Sequence, residues 1–453
     1  MVVPAKFARR FIYHFTHLDN LESVLRLGLL ANNHPNAHQA PRRSIASAGI
    51  QERRATMNVP CGPGGVVHDY VPLYFGSLSP MLLGVINKKN VDQLQILYLE
   101  YPITLLERDD VVFTDASANT NEPPNFYSDP EDLERLNWPE IDSRKWSSKS
   151  EVLRHQRMAE ALVNRELSVQ QAARIVVWNG DVAAHVKAVA EQLGVAIPQT
   201  TFESRDSPHY FKDFLHGEGN RSVVTGPMGI RNQFNEACEK IADRTGSGGG
   251  KYASLQELLL ALRAEFGCLP QTAELVGLKS ANGIHKLPVD QHTLEVVAAL
   301  KALPEFMLIQ SANDRDLVEL AAYLHDIGKG PKSRWAKWNG VQQVDPDHPV
   351  RALPMLSDIL TSAVASVPKA EGELLLKLVC YHDLVGEVIG KGRDEQQIAD
   401  AFKSERELEM LFALAKADIT SLRDEWWNDE KVQGLFDRLR AGLLGCNEQG
   451  DDS

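Results

Sequence analysis

Four residues in the second half of this 453-residue chain have the types and order of a metal centre. His292 in "VDQHTLEVV", His325 and Asp326 in "LHDIGKG", and Asp418 in "AKADITSL" run H…HD…D. Imidazole and carboxylate together suit a divalent transition metal, which lowers the pKa of a bound water and neutralises charge on phosphate. His348 in "DPDHPVRA" and His382 in "CYHDLV" would complete a second metal position. Any one of these histidines alone would be an ordinary hydrogen-bonded residue, so the ordered set carries the argument. Lys329 and Arg351 are candidates to meet substrate phosphate, or equally to be solvated helix ends.

A second group lies near the amino terminus, in "FIYHFTHLDNLESVLRLGLL". Asp19 as N-cap with Glu22 three residues later reads as a capping box, Leu21, Val24 and Leu25 share a face, and Gly28 can end the helix. His14, Thr16 and His17 then stand just before a helix start, whose unpaired N–H groups favour phosphate, as in a dinucleotide cradle. The arginine pair Arg53–Arg54 in "IQERRA", the turn "CGPGG" and Glu160 in "RMAEALV" complete the polar set. The periodicity around Glu160 fits a strand or a helix.

The elements that must position these groups differ between the two halves. Before the glycine-rich "RTGSGGGKY" at 244–252, short apolar runs such as "LQILYLEYPI" and "ARIVVWNG" alternate with Pro-rich loops such as "SANTNEPPNFYSDPEDL", which predicts mixed α and β. After it, "SLQELLLALRAEF", "HTLEVVAALKAL", "RDLVELAAYLHDIGKG", "GELLLKLVCYHDL" and "ELEMLFALAKADI" recur at helical spacing, which predicts an all-α half. The expected organisation is a first domain over 1–213, a helical connector over 214–274 and a second domain over 275–445.

Length alone calls for two or three units. No stretch is apolar for long enough to cross a membrane, and "MVVPAKFARRF" has no apolar signal core, so a cytoplasmic protein is expected. The five cysteines are widely spaced and form no C-x-x-C pair, which points to reduced, structural thiols. A net charge of −13 excludes a protein that coats nucleic acid everywhere. Residues 1–60 nevertheless hold eight basic groups, Arg42 and Arg43 among them, against three acidic ones, an excess of 8 − 3 = +5 that suits a local anionic ligand.

Taken together, "IYHFTHLDNLESVLRLG", "IQERRATMNVPCGPGGVVHDYVPLYFGSLSPML", "VVFTD" and "RMAEALV" resemble the DarT toxins, which ADP-ribosylate bases of single-stranded DNA using NAD. The resemblance covers about the first 210 residues and implies the mixed α/β ADP-ribosyltransferase fold. It implies that Glu160 is the catalytic glutamate that stabilises the sugar cation, and that Arg53 or Arg54 polarises the acceptor base. It also assigns His14, Thr16 and His17, with Asn20 close by, to NAD, and makes Tyr74 a candidate to stack on nicotinamide or base. Family members often carry a histidine just after "FTD", where this chain has Ser117 nearby, which leaves thymine, guanine or RNA open as targets.

From about 275 to 440 the chain resembles the all-α, metal-dependent HD phosphohydrolases, in wording closest to the domain that removes uridylyl groups from the PII signal protein. The expected protein joins an NAD-dependent single-stranded DNA ADP-ribosyltransferase to an HD phosphohydrolase using Mn, Mg, Fe or Co on a nucleotide or phosphoester. An antitoxin is an expected partner. The rival reading is an RNA- or protein-modifying transferase whose HD half is a nucleotide-sensing module.

Overall fold

A computed structural model describes residues 1–39, 43, 45, 48–118, 123–145, 150–202, 209–213, 218–243, 249–284 and 286–448. Arg42 and positions 244–248 of the glycine-rich stretch lie outside the described residues. The chain divides into two compact units, Met1–Val223 and Val224–Ser453.

The first unit is built on an eight-stranded sheet. Its strands are β1 (Phe11–His17), β2 (Tyr70–Tyr74), β3 (Ile96–Pro102), β4 (Val111–Thr114), β5 (Phe126–Tyr127), β6 (Glu160–Asn164), β7 (Arg174–Val177) and β8 (Gln199–Phe202). Across the sheet the order is β8-β7-β3-β1-β2-β6-β4-β5, parallel only between β8 and β7. β1 pairs with β3 over its full length, from Phe11 opposite Pro102 to His17 opposite Ile96.

These central strands are apolar on both faces because the sheet is covered on both. Leu97, Leu99 and Tyr101 join one core with α1 (Leu21–Leu27), while Ile96 and Tyr98 join another. Glu100 interrupts the second face with no exposed surface. Burial opposes its charge, but His209, 2.6 Å away, and Arg174 hold the carboxyl below its usual range. Four more helices matter here: α2 (Ala48–Thr56), α3 (Pro80–Asn87), α4 (Glu151–Gln156) and α5 (Gly180–Leu193).

The capping expected at Asp19 is corrected by the structure. A 3-10 turn over Leu18–Asn20 precedes α1, and the imidazole of His17 caps it by accepting from the Asp19 N–H at 3.0 Å. Asp19 points instead to Arg43, 2.9 Å away. A competing basic partner therefore outweighs the local capping box. Gly28 does end α1, at a φ of +76° where a side chain would also meet the Leu167 carbonyl.

The second unit is helical, and no strand forms among its described residues. The helices used below are α6 (Pro227–Ala242), α7 (Val289–Ala302), α8 (Ala312–Leu324), α9 (His348–Asp358), α10 (Lys369–Tyr381), α11 (Gln396–Ala401) and α12 (Glu405–Leu422). Leu317 to Leu324 of α8 are all buried, which makes it the central helix of the bundle. The segment expected as a connector feeds this same core through Ile230, Ala237 and Ile241 of α6 and Leu255, Leu258, Leu259 and Leu262 of the next helix.

Gly328 follows the HD pair, past the end of α8 at Leu324, and serves close approach. A Cβ at 328 would lie 1.9 Å from the His348 carbonyl oxygen and 2.7 Å from the Ala352 nitrogen, both backbone atoms of α9. Gly328→Ala is therefore expected to cost about 1–3 kcal/mol or more, as overpacking does. Gly84, inside α3 with nothing near its would-be Cβ, should gain about 0.5–1 kcal/mol as alanine. Denaturant melts of the two variants should move in opposite directions.

Candidate active sites

In the first unit Glu160 is the first residue of β6, in register with Tyr74 of β2, and it has no exposed surface. Such a carboxylate stays charged only with partners. Arg54 of α2 donates Nη1 to both oxygens, at 3.0 and 2.9 Å, and the Ala118 N–H donates to Oε1 at 3.1 Å. The Glu160 backbone N–H is held in turn by the Thr114 hydroxyl at 3.2 Å. α2 thus separates the arginine pair. Arg54 is buried against Glu160, whereas Arg53 is exposed on a cleft of about 1040 Å³ that Lys88, Arg154 and His155 also line.

On the other side of Arg54 lies a cavity of about 170 Å³ lined by His14, Thr16, Asn20, Gln51 and His68. The two-residue period of β1 turns His14 and Thr16 toward this cavity and Tyr13 and Phe15 into the opposite core. Asn20 fixes the entrance by donating to the Thr16 hydroxyl at 2.9 Å and the Arg43 carbonyl at 3.1 Å, and by accepting from the Arg43 N–H at 2.7 Å. His14 donates Nδ1–H to the Pro72 carbonyl at 2.8 Å.

Two of the expected residues are not among those lining this cavity. His17 is fully buried as the cap of its turn, and burial together with Arg43 lowers its pKa. Tyr74 stacks on Phe15 with centroids 5.7 Å apart, and burial with Glu160 beside it pushes its hydroxyl up. Ser117 is buried, its N–H bonded to the His155 carbonyl. Gln51, His68 and the Ala118 N–H were missed by sequence reasoning. The first two lie amid apolar or charged neighbours that give no periodic signal, and a backbone donor has no signal in residue type.

In the second unit the six expected residues converge. His292 of α7 lies 3.1 Å from Asp418 of α12, and His325, at the end of α8, lies 3.4 Å from Asp326 and 3.7 Å from Asp418. His348, the first residue of α9, lies 3.2 Å from Asp326, and His382, just past α10, completes the ring of imidazoles. Asp383, 3.7 Å from His348 and from His382, joins them and was missed. Its signal was available, since "YHDL" repeats the His-Asp pair of "LHDI".

The donor set fits metal ions. His325, His348 and His382 each donate Nδ1–H to the carbonyl three residues earlier, at 2.8, 3.0 and 2.8 Å, which leaves each Nε2 a bare acceptor. Yet Nε2 of His348 and Nε2 of His382 face each other at 3.2 Å. Two lone pairs at that distance require a cation or proton between or beside them. His325 Nε2 and Asp326 Oδ1 are moreover buried with no hydrogen bond of acceptable geometry among the described residues. Without metal, burial disfavours a charged His325, but Asp326 and Asp418 outweigh it and push its pKa up to about 9. Burial also opposes charge on Asp418, yet His292 and His325 bring it down to about 2. Lys329 pairs with Asp326 at 2.6 Å, and Arg351 braces Asp345 at 3.0 Å.

Residues 13–211 match the family model described as "ssDNA thymidine ADP-ribosyltransferase, DarT", and 289–402 match the HD domain model. A DNA ADP-ribosyl transferase of Thermus sp. strain 2.9 is 37% identical over 187 residues, 40% of this chain and 87% of that protein. One of Escherichia coli O127:H6 is 28% identical, over 38% of this chain and 83% of its own length. The bifunctional uridylyltransferase/uridylyl-removing enzyme of Neisseria gonorrhoeae is 30% identical over 196 residues, 39% of this chain but only 21% of that enzyme. The solved structure of Thermus sp. 2.9 DarT in complex with ADP-ribosylated ssDNA aligns at 33% identity and a TM-score of 0.40, over 45% of this chain and 97% of its own. The same protein with NAD+ aligns at 30% and 0.38, over 44% and 97%.

Two outcomes test these geometries. Arg54→Ala leaves a buried carboxylate unpaired and should cost up to about 3–5 kcal/mol, relieved in the Arg54→Ala/Glu160→Gln double variant, whereas Arg53→Ala should melt like wild type. Equal melting of the two single variants would rule out the pairing. Asp326→Ala should lose bound divalent metal in elemental analysis while the helical circular dichroism persists, because the helices still bury their apolar faces.

Proposed function

The chain belongs, through its first unit, to the DarT family of ADP-ribosyltransferases, and from that premise we propose that it transfers ADP-ribose from NAD to a ring nitrogen of thymine or guanine in single-stranded DNA. The observation that carries this reading is the buried Arg54–Glu160 pair beside the cavity of His14, Thr16 and Asn20. That cavity, too small to enclose a whole dinucleotide, takes one part of the NAD on His14, Thr16 and Asn20.

The reaction breaks the bond from ribose C1′ to nicotinamide nitrogen and forms one from C1′ to the base. Neutral nicotinamide departs with the bonding electron pair, and the base ring nitrogen gives its proton to solvent water as the new bond forms. Glu160, held in place by Arg54 and the Ala118 N–H, stabilises the cationic sugar between those events. Arg54 polarises the acceptor, and Arg53 on the open cleft meets nucleic-acid phosphate. Bulky adducts on template bases obstruct replication, which is the basis for a toxin or phage-defence role.

We further propose that the second unit is a metal-dependent phosphohydrolase. His292, His325, Asp326 and Asp418 would hold one divalent ion, and His348 and His382 with Asp383 a second. The ion supplies an acidified water and charge neutralisation at phosphorus. Lys329 orients Asp326 and offers positive charge to a phosphoester.

Incubation with labelled NAD and separate pools of single-stranded DNA, duplex DNA, RNA and protein, followed by mass mapping, tests the first proposal. Label is expected on unpaired DNA bases, since pairing and stacking occupy the base edge in a duplex. Glu160→Gln should reduce transfer on the order of a hundredfold or more while NAD still binds. Undiminished transfer in that variant, or label confined to protein, would sink the assignment.

A further inference from the structure

The second unit holds another pocket, walled by α6, α10 and the segment entering α11, that the metal chemistry does not use. It has a volume of about 260 Å³. Arg231, Phe234 and Asn235 line it from one face of α6, at the three- and four-residue spacing that aligns side chains on a helix. Lys377 and Tyr381, four apart on α10, form the second wall, and Arg393 the third.

Three cations therefore converge from three separate elements, while the one carboxylate in the lining is Asp400, 3.6 Å from Arg231. Glu407 and Glu387, which do not line the pocket, compensate Lys377 and Arg393. Arg393 is the informative member. It is only 6% exposed; Nη1 donates to Glu387 at 2.6 Å and Nε to Gln397 at 2.9 Å, but its buried Nη2 has no acceptor among the described residues. A buried guanidinium donor left unsatisfied is costly unless an acceptor arrives. Beside it, Phe234 and Tyr381 stand 6.3 Å apart and tilted by 56°, offering aromatic surface to a flat ring. Asn235 and Gln397 add amide groups able to bond a ring edge.

We propose that this pocket binds a nucleoside monophosphate, its phosphate on Arg393 and Lys377 and its base against Phe234 and Tyr381. The volume excludes a dinucleotide or polymer as a fully enclosed ligand. Position gives the site its consequence. Tyr381 directly precedes His382, whose Nε2 faces His348, so a ligand that fixes the end of α10 also fixes an imidazole of the metal centre. α6 is the first helix after Val223, which places the same ligand on the segment where the chain enters the second unit.

The test is calorimetric titration of the full chain, in chelator, with each of the four ribonucleoside 5′-monophosphates, with inorganic phosphate and with free nucleosides as controls. Hydrogen exchange locates the bound ligand. At least one monophosphate is expected to bind and to protect amides in 231–235, 377–381 and 393–401. Binding should persist in Asp326→Ala and weaken at least tenfold in Arg231→Gln/Lys377→Gln, whose side chains are not fully buried and whose loss leaves the core intact. Arg393→Met should abolish it, and the double variant keeps the test valid where that buried substitution unfolds the unit. No binding by any of the four, or protection confined to other segments, overturns the proposal. Phosphate alone binding as tightly as the nucleotide overturns the nucleoside part and leaves an anion site.

Discussion

A carboxylate that must be charged and must also be dry needs a fixed cation, and the Arg54–Glu160 pair meets that constraint in the first unit. Its geometry reaches outward through the fold. β6 must start at Glu160, β2 must lie in register beside it, the turn after β4 must present the Ala118 N–H, and α2 must aim one arginine of two inward. Buried ion pairs add little net stability against an apolar alternative, because desolvation takes back most of the Coulomb gain. The pair therefore fixes where the Glu160 carboxylate lies more than it adds stability, as His209 and Arg174 fix Glu100 elsewhere in the sheet.

The second unit solves the reverse problem. There the buried groups are acceptors, with imidazole Nε2 atoms turned inward by backbone carbonyls that hold each Nδ1–H. Asp326 and Asp418 add negative charge to the same cluster and raise the pKa of His325 against the effect of burial. Proton and metal would compete for the same field, so a divalent ion bound there would release protons at neutral pH. Gly328 allows this crowding, because only a residue without Cβ lets the HD turn lie against the start of α9, where His348 is carried.

Much of this was legible in the sequence, for reasons of periodicity. "LQILYLEYPI" reads as a strand because both faces are buried, and the apolar spacing of the later segments gives α7, α8, α10 and α12 because each packs one broad stripe into a shared core. The H…HD…D order could be read because each residue falls at a helix end or on a helix face. What could not be read depended on partners distant in sequence. Asp19 fits a cap until Arg43 is seen beside it, and Arg53 and Arg54 are indistinguishable until α2 is placed against β6. His17 has the residue type of a ligand contact, but strand alternation places it on the opposite face from His14 and Thr16.

The glycine-rich stretch drew attention as the natural boundary between the halves, but chain composition and tertiary packing need not agree about where a unit begins. The second unit begins earlier, at Val224, and its first residues are bound firmly. Thr225 donates its N–H to both oxygens of Asp347, at 3.0 and 3.1 Å, and its hydroxyl to the same carboxylate at 2.5 Å. Asp347 directly precedes His348, whose imidazole faces Asp326 at 3.2 Å. The point where the chain enters the second unit is therefore part of the scaffold that positions His348, because three hydrogen bonds tie Thr225 to the residue just before it.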